Sequence, residues 1–150
     1  MNEDHTPIPH AALVMVGDGN KAIFYRNEGT PMHVNLVVER TFAQENPPTR
    51  EQGTDKPGRY AGPDGNSRSS FGETDWHQIA EDRFAHQIST ELYRLAHANR
   101  FEQLIVVAPP KVIGNLRGSL HQEVTRRIVA EIPKDLTGRP KEDLARLISG

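Results

Sequence analysis

The chain has no cysteine, so it has no disulfide framework, no thiolate nucleophile and no cysteine-held zinc. Aromatic residues make up 6% of its 150 residues, with a single tryptophan. Long hydrophobic runs are missing too. The longest, Ala11–Val16 and Leu104–Pro110, fall far short of the roughly 20 apolar residues that cross a bilayer as a helix, so no membrane insertion is expected. The first residues (Met-Asn-Glu-Asp-His-Thr-Pro) are acidic where a secretory signal needs positive charge, and the expected location is the cytoplasm. Nor is there an excess of positive charge. The 18 Lys and Arg against 20 Asp and Glu give a net charge of -2, which argues against a nucleic-acid binder held by bulk electrostatics.

Several chemical signatures are absent as well. The chain has no Walker-type loop, no dinucleotide fingerprint and no Gly-x-Ser-x-Gly elbow. The seven histidines (5, 10, 33, 77, 86, 97 and 121) are scattered, and no pair has the four-residue spacing of a helical metal site. The segment His77–Glu81 lacks the second histidine of a zincin helix. No cofactor and no metal are expected, and the chain reads as more plausibly a binding protein than an enzyme.

What is present fits one domain, residues 11–150, preceded by a flexible arm over 1–10. Ala11–Gly17 is an apolar run of buried-strand length, Asp18-Gly19-Asn20 a turn, and Lys21–Arg26 a second strand, so 11–26 reads as a hairpin. Val34–Phe42 is a third antiparallel strand, with Leu36, Val38 and Arg40 on one face and Val37 and Glu39 on the other. Residues 44–74 read as a long loop, since the stretch to Asp75 holds four prolines and five glycines. Unstructured loops of this length are uncommon and usually functional or disordered. A helix over Asp75–Arg100 follows, capped by Thr74 or Asp75, its apolar stripe running from Trp76 through Ile79, Phe84, Ile88, Leu92 and Leu95 to a stop at Asn99.

Phe101–Ala108 is nearly free of polar residues, the mark of a central strand covered on both faces, and Pro109-Pro110 ends it. Val112–His121 reads as a short helix, Arg127–Ile132 as a strand or the end of that helix, with the strand favoured by Ile128, Val129 and Ile132. Pro140–Ser149 closes the chain as a helix with Leu144, Leu147 and Ile148 inward. The order is β-β-β-α-β-α-β-α. It predicts an α/β fold: a single mixed sheet of about five strands covered by helices.

With these elements placed, four segments carry a resemblance. They are Gly53–Arg59; Ser67-Arg68-Ser69 with Asp75-Trp76-His77 and Arg83-Phe84-Ala85; Val107–Lys111 with Gly114–Arg117; and Lys134–Thr137. Together, over about residues 11–149, they resemble the bacterial host attachment protein family, described as required for attachment to host cells. That family is similar to the middle domain of class I peptide-release factors, which has an RNase H-like mixed sheet. In the release factor a Gly-Gly-Gln loop precedes a long helix and enters the peptidyl-transferase centre. Here Gly65-Asn66-Ser67 stands where Gly-Gly-Gln-Ser is expected. The glutamine and the paired glycine are missing, so the resemblance implies the architecture and an RNA- or ribosome-facing loop, not release-factor hydrolysis. A protein partner that links the chain indirectly to attachment is the alternative.

The candidate binding residues are Arg59, Ser67, Arg68 and Ser69 in the loop, with Asp55 and Lys56 beside them, and Lys111 and Arg117 after the central strand. Arginine offers a planar fork to phosphate, and Ser hydroxyls and glycine amides can surround an anion. Ligands of open α/β sheets bind beyond the carboxyl ends of strands, where Lys111, Asn115 and Arg117 fall. The C-terminal residues 111–150 hold eight Lys and Arg against five acids, the rest of the chain ten against fifteen, which allows a modest basic face. Asp75 and His77 form a possible polar site: an oriented general base, or simply an N-cap and an exposed first-turn residue. A metal-dependent nuclease built on Asp18, Asp75 and His77 lacks the clustered carboxylates that hold two Mg²⁺ ions, and Asp18 reads as a turn former. Lys134 and Asp135 are expected to pair at a strand end.

Overall fold

The computed structural model describes residues 6–43 and 63–149, with side chains in the long helix from Gln78 onward. Within these residues lie strands β1 (Leu13–Gly17), β2 (Lys21–Asn27) and β3 (Leu36–Ala43), helix α1 (Pro63–His97) and strand β4 (Leu104–Val107). Helix α2 (Pro110–Arg117), the single turn α3 (Gln122–Thr125), strand β5 (Ile128–Ile132) and helix α4 (Lys141–Ser149) follow. The five strands form one mixed sheet in the order β3-β2-β1-β4-β5. The pairs β1/β2 and β2/β3 are antiparallel, and β1/β4 and β4/β5 parallel. The two apolar runs occupy the sheet's interior positions, where every residue of β1 and β4 is buried, as strands covered on both faces must be.

Alternation along these strands divides the core into two layers. Leu13, Met15, Leu104 and Val106 pack with Phe84, Ile88 and Leu92 of α1 and with Ile113 and Leu116 of α2. Val14, Val16, Ile105 and Val107 pack on the opposite face with Leu144 and Ile148 of α4. That second layer also contains Ile8, which is fully buried. Residues 6–10 are therefore part of the fold rather than a flexible arm. The buried amide of Asn27 holds them, donating to the carbonyls of Ile8 at 2.9 Å and Pro9 at 3.2 Å.

The hairpin closes on the three residues read as a turn. Asp18 Oδ1 accepts from the amides of Asn20 and Lys21, each at 2.9 Å, and Gly19 takes φ +96°, a conformation glycine adopts without a Cβ penalty. At the other edge β3 departs from simple alternation. Phe24 pairs with Arg40 and Tyr25 with Val38, so Glu39 is the extra residue of a bulge. The bulge turns Arg40 away from the face of Leu36 and Val38, and its guanidinium reaches Glu91 of α1 at 2.9 Å. The Glu39 carboxylate accepts from Nε and Nη2 of Arg26, each at 2.9 Å.

The helix assigned to 75–100 is longer and starts at Pro63. Residues 63–74, expected in the loop, are helical, with Pro63 suited to a first-turn position and acidic Asp64 beside it. Residues 44–62 lie outside the described residues. Ile79, placed on the inward stripe by spacing, is 47% exposed, and among the described side chains of the helix the first buried one is Phe84. The helix stops as its sequence indicates: Asn99 adopts φ 55° and the Arg100 amide bonds back to the Leu95 carbonyl at 2.8 Å, a Schellman closure. The strand read over 101–108 is confined to Leu104–Val107, and the helix read over 112–121 begins at Pro110 and ends at Arg117. His121 instead caps α3, its ring nitrogen accepting from the Glu123 amide at 2.9 Å.

Candidate functional site

Parallel strands β1, β4 and β5 all point the same way, so their exits share one end of the sheet. Three connections meet there: the Asp18–Asn20 turn, the Pro109-Pro110 exit into α2, and residues 133–140 between β5 and α4. The proline pair ends β4 and opens α2 with Pro110 at its first position. The third connection is tied to the first by Thr137, whose hydroxyl meets Asp135 Oδ1 at 2.6 Å and Asp18 Oδ2 at 3.3 Å. Two motifs that the sequence separates by more than a hundred residues thus touch. Asp135 also accepts from the Thr137 amide at 3.1 Å, so its carboxylate closes the loop instead of pairing with Lys134.

Helix α1 reaches the same end. Its C-terminus leads into the start of β4, so it runs antiparallel to that strand. Glu81 lines a small cavity together with Gly19 of the hairpin turn and Val112 of α2. The eighteen residues from Pro63 to Ala80 continue in the same direction, about 27 Å at 1.5 Å per residue. The N-terminal half of α1 therefore runs out beyond the carboxyl ends of the strands. The cavity at its base has a volume of ≈10 Å³, room for about one water. Met15, Phe84 and Ile88 make most of its wall apolar, so it is a packing gap rather than a substrate pocket.

The predicted site residues divide accordingly. Asp55, Lys56 and Arg59 lie outside the described residues. Ser67, Arg68, Ser69, Asp75 and His77 belong to the backbone of α1, and their side chains lie outside the described residues. Asp75 is twelve residues into the helix, so it is not an N-cap. Lys111 and Arg117 are placed at the carboxyl end as expected, but they do not converge. Lys111 turns toward α1, with its ammonium 3.3 Å from Glu81. Arg117 turns to the sheet edge, bonding both oxygens of Glu131 on β5. The hydrogen bond to Glu131, and after it the carboxylate's charge, holds the Arg117 guanidinium above the usual arginine pKa. Asn115 lines the small cavity. Glu81 Oε1 is buried and takes no hydrogen bond, although the Lys111 ammonium lies near. The two facts agree if the contact is ionic and poorly aimed.

Sequence reasoning missed both carboxylate partners, because Glu81 and Glu131 are thirty and fourteen residues from the cations they hold. It placed Asp18 correctly: the residue is a turn former, with one oxygen on the turn amides and the other toward Thr137. Among the described residues no three His, Asp or Glu side chains gather as metal ligands. No described helix is long and apolar enough to cross a membrane.

A five-stranded mixed sheet with helices on both faces, one of them extended past the strand ends, defines the class: an α/β domain. The chain belongs to the bacterial archaeo-eukaryotic release factor family 12, whose model matches residues 11–148. No curated protein matches the chain.

Proposed function

We propose that the chain is a non-catalytic release-factor-like module that engages RNA or the ribosome, presented by the end of the sheet from which α1 emerges. What carries this reading is membership of the release factor family over residues 11–148. The direction of α1 supports it, because the helix runs out beyond the carboxyl ends of the strands. The departures from the release-factor pattern decide what the module does not do. Gly65-Asn66-Ser67 lacks the glutamine and falls within the first two turns of a helix, so peptidyl-tRNA hydrolysis has no counterpart group there. Lys111 and Arg117 are engaged by carboxylates, which leaves the loop and α1 as the leading contact elements. A part in attachment to host cells is then indirect, through translation or RNA.

Sucrose-gradient sedimentation of a lysate at low salt tests the reading. Co-migration with ribosomal particles that is lost on raising salt is expected. Recovery of all the protein at the top of the gradient overturns it.

A further inference from the structure

Most described cations are paired. Arg26, Arg40, Arg94, Lys111, Arg117, Arg126, Arg127 and Arg146 each lie within 4 Å of a carboxylate. Among the described residues Lys21, Arg100, Lys134, Arg139 and Lys141 have no such partner, and all five are exposed. Arg100 precedes β4 at the opposite end of the sheet, but the other four gather in one place. Lys21 closes the hairpin turn, and the other three lie on or beside the 133–140 connection. The contacts of Asp18 with the Lys21 amide and the Thr137 hydroxyl hold those two connections together. The acids of the same segments are largely engaged: Asp18 and Asp135 cap their own loops, and Asp143 pairs with Arg146 at 2.9 Å. Glu142 is the exception.

We propose that Lys21, Lys134, Arg139 and Lys141 form a contact surface for the phosphate backbone of RNA, set beside the base of α1. The proposal rests on the RNA-directed reading above and replaces Lys111 and Arg117 as the sheet's contribution to it. Unpaired, exposed ammonium and guanidinium groups can neutralise phosphates, and so release the cations condensed on the nucleic acid, without first breaking an ion pair, whereas Lys111 and Arg117 would have to give up Glu81 and Glu131. The net charge of -2 is no obstacle, since phosphate contacts act within a Debye length of about 8–10 Å.

The test uses the full chain, a fluorescent oligouridylate and purified large ribosomal subunits as probes, and a salt series from 50 to 200 mM. Four single-strand phosphate contacts contribute a slope of about -3 in log affinity against log salt, or roughly 50-fold across that range. The quadruple variant Lys21→Gln, Lys134→Gln, Arg139→Gln, Lys141→Gln is expected to lose that part of the slope and bind more weakly at 50 mM. The variant Arg126→Gln, Arg146→Gln, which removes paired cations, is expected to keep the wild-type slope. Circular dichroism melts confirm that each variant is folded. If the wild type binds and the quadruple variant keeps its slope, this surface is refuted and the broader reading stands. If the wild type binds neither probe, both fall together.

Discussion

Asn27 is the buried polar residue on which the N-terminal part of the second core layer depends. Its side chain is fully buried. The amide nitrogen donates to Ile8, Pro9 and, at 3.4 Å, Thr30, and the oxygen accepts from the amides of Gly29 at 2.9 Å and Asn35 at 2.8 Å. One side chain therefore joins the arm to the β2–β3 connection. Replacing it with leucine removes all these bonds while keeping the branched, four-heavy-atom shape of the side chain. The partly buried amides of Gly29 and Asn35 can recruit water and are each worth about 1 kcal/mol, and the Ile8 carbonyl left buried costs about 1–3 kcal/mol. We predict a loss of about 3–5 kcal/mol, equivalent to about 6–20 °C in melting temperature for a domain of this size.

The aspartate variant sharpens the test. Asn27→Asp keeps the acceptor for Gly29 and Asn35 but turns a carboxylate oxygen toward three carbonyls. Burial and repulsion raise its folded pKa above the unfolded value of about 3.9. Between the two values the folded state binds more protons, so stability falls as pH rises. The variant is expected to be nearest to wild type at about pH 4 and weakest at pH 7. Urea denaturation followed by far-ultraviolet circular dichroism measures both effects. A leucine variant that loses less than about 1 kcal/mol, or an aspartate variant with a flat pH profile, refutes the assignment.

Glu39 has the opposite linkage. Its hydrogen bond to Arg26 lowers its pKa from the ordinary 4.5 against the opposing effect of burial. The contribution is therefore present above the unfolded pKa and lost as pH falls through the folded one. Acid titration of Glu39→Gln should show a shallower loss of stability below pH 4.5 than the wild type. Ala11 adopts φ 69° without being glycine; Ala11→Gly is expected to be neutral or to gain up to about 1 kcal/mol, and Ala11→Val to lose about 2 kcal/mol, as read by thermal melts. His121→Ala removes the cap of α3 and a ring contact with Tyr93 at 4.3 Å, and should cost about 1–2 kcal/mol by the same measurement.

Much of this fold is legible in the sequence because its centre is unusually apolar. The runs at Leu13–Val16 and Leu104–Val107 become neighbouring parallel strands, and the β-branched Ile128, Val129 and Ile132 resolve the ambiguous fifth strand. What escapes is whatever depends on a distant partner. Ile8, a lone apolar residue between prolines, has no periodicity to mark it, and its burial follows from Asn27 nineteen residues on. Alternation misplaces Arg40 because a bulge at Glu39 changes the phase. The start of α1 is hidden by Gly65, Gly72 and four serine and asparagine residues, all weak helix formers, and Thr74-Asp75 offers a plausible false start. The position of Lys111 and Arg117 at the carboxyl end is readable from the proline exit, but the carboxylates that neutralise them are not.

The long helix then has two parts with different duties. From Phe84 to Ala96 it is locked into the first core layer, with Ile88 and Leu92 fully buried and Glu91 gripped by Arg40 and Arg94. From Gln78 to Arg83 the side chains are exposed or half-buried, and the helix has left the core. A rod anchored at one end by a dense apolar seam holds its direction, so the sheet decides the line along which α1 runs back to Pro63. That direction is set by the packing of Phe84, Ile88 and Leu92 into the first core layer, and the sequence Gly65-Asn66-Ser67 has no part in it.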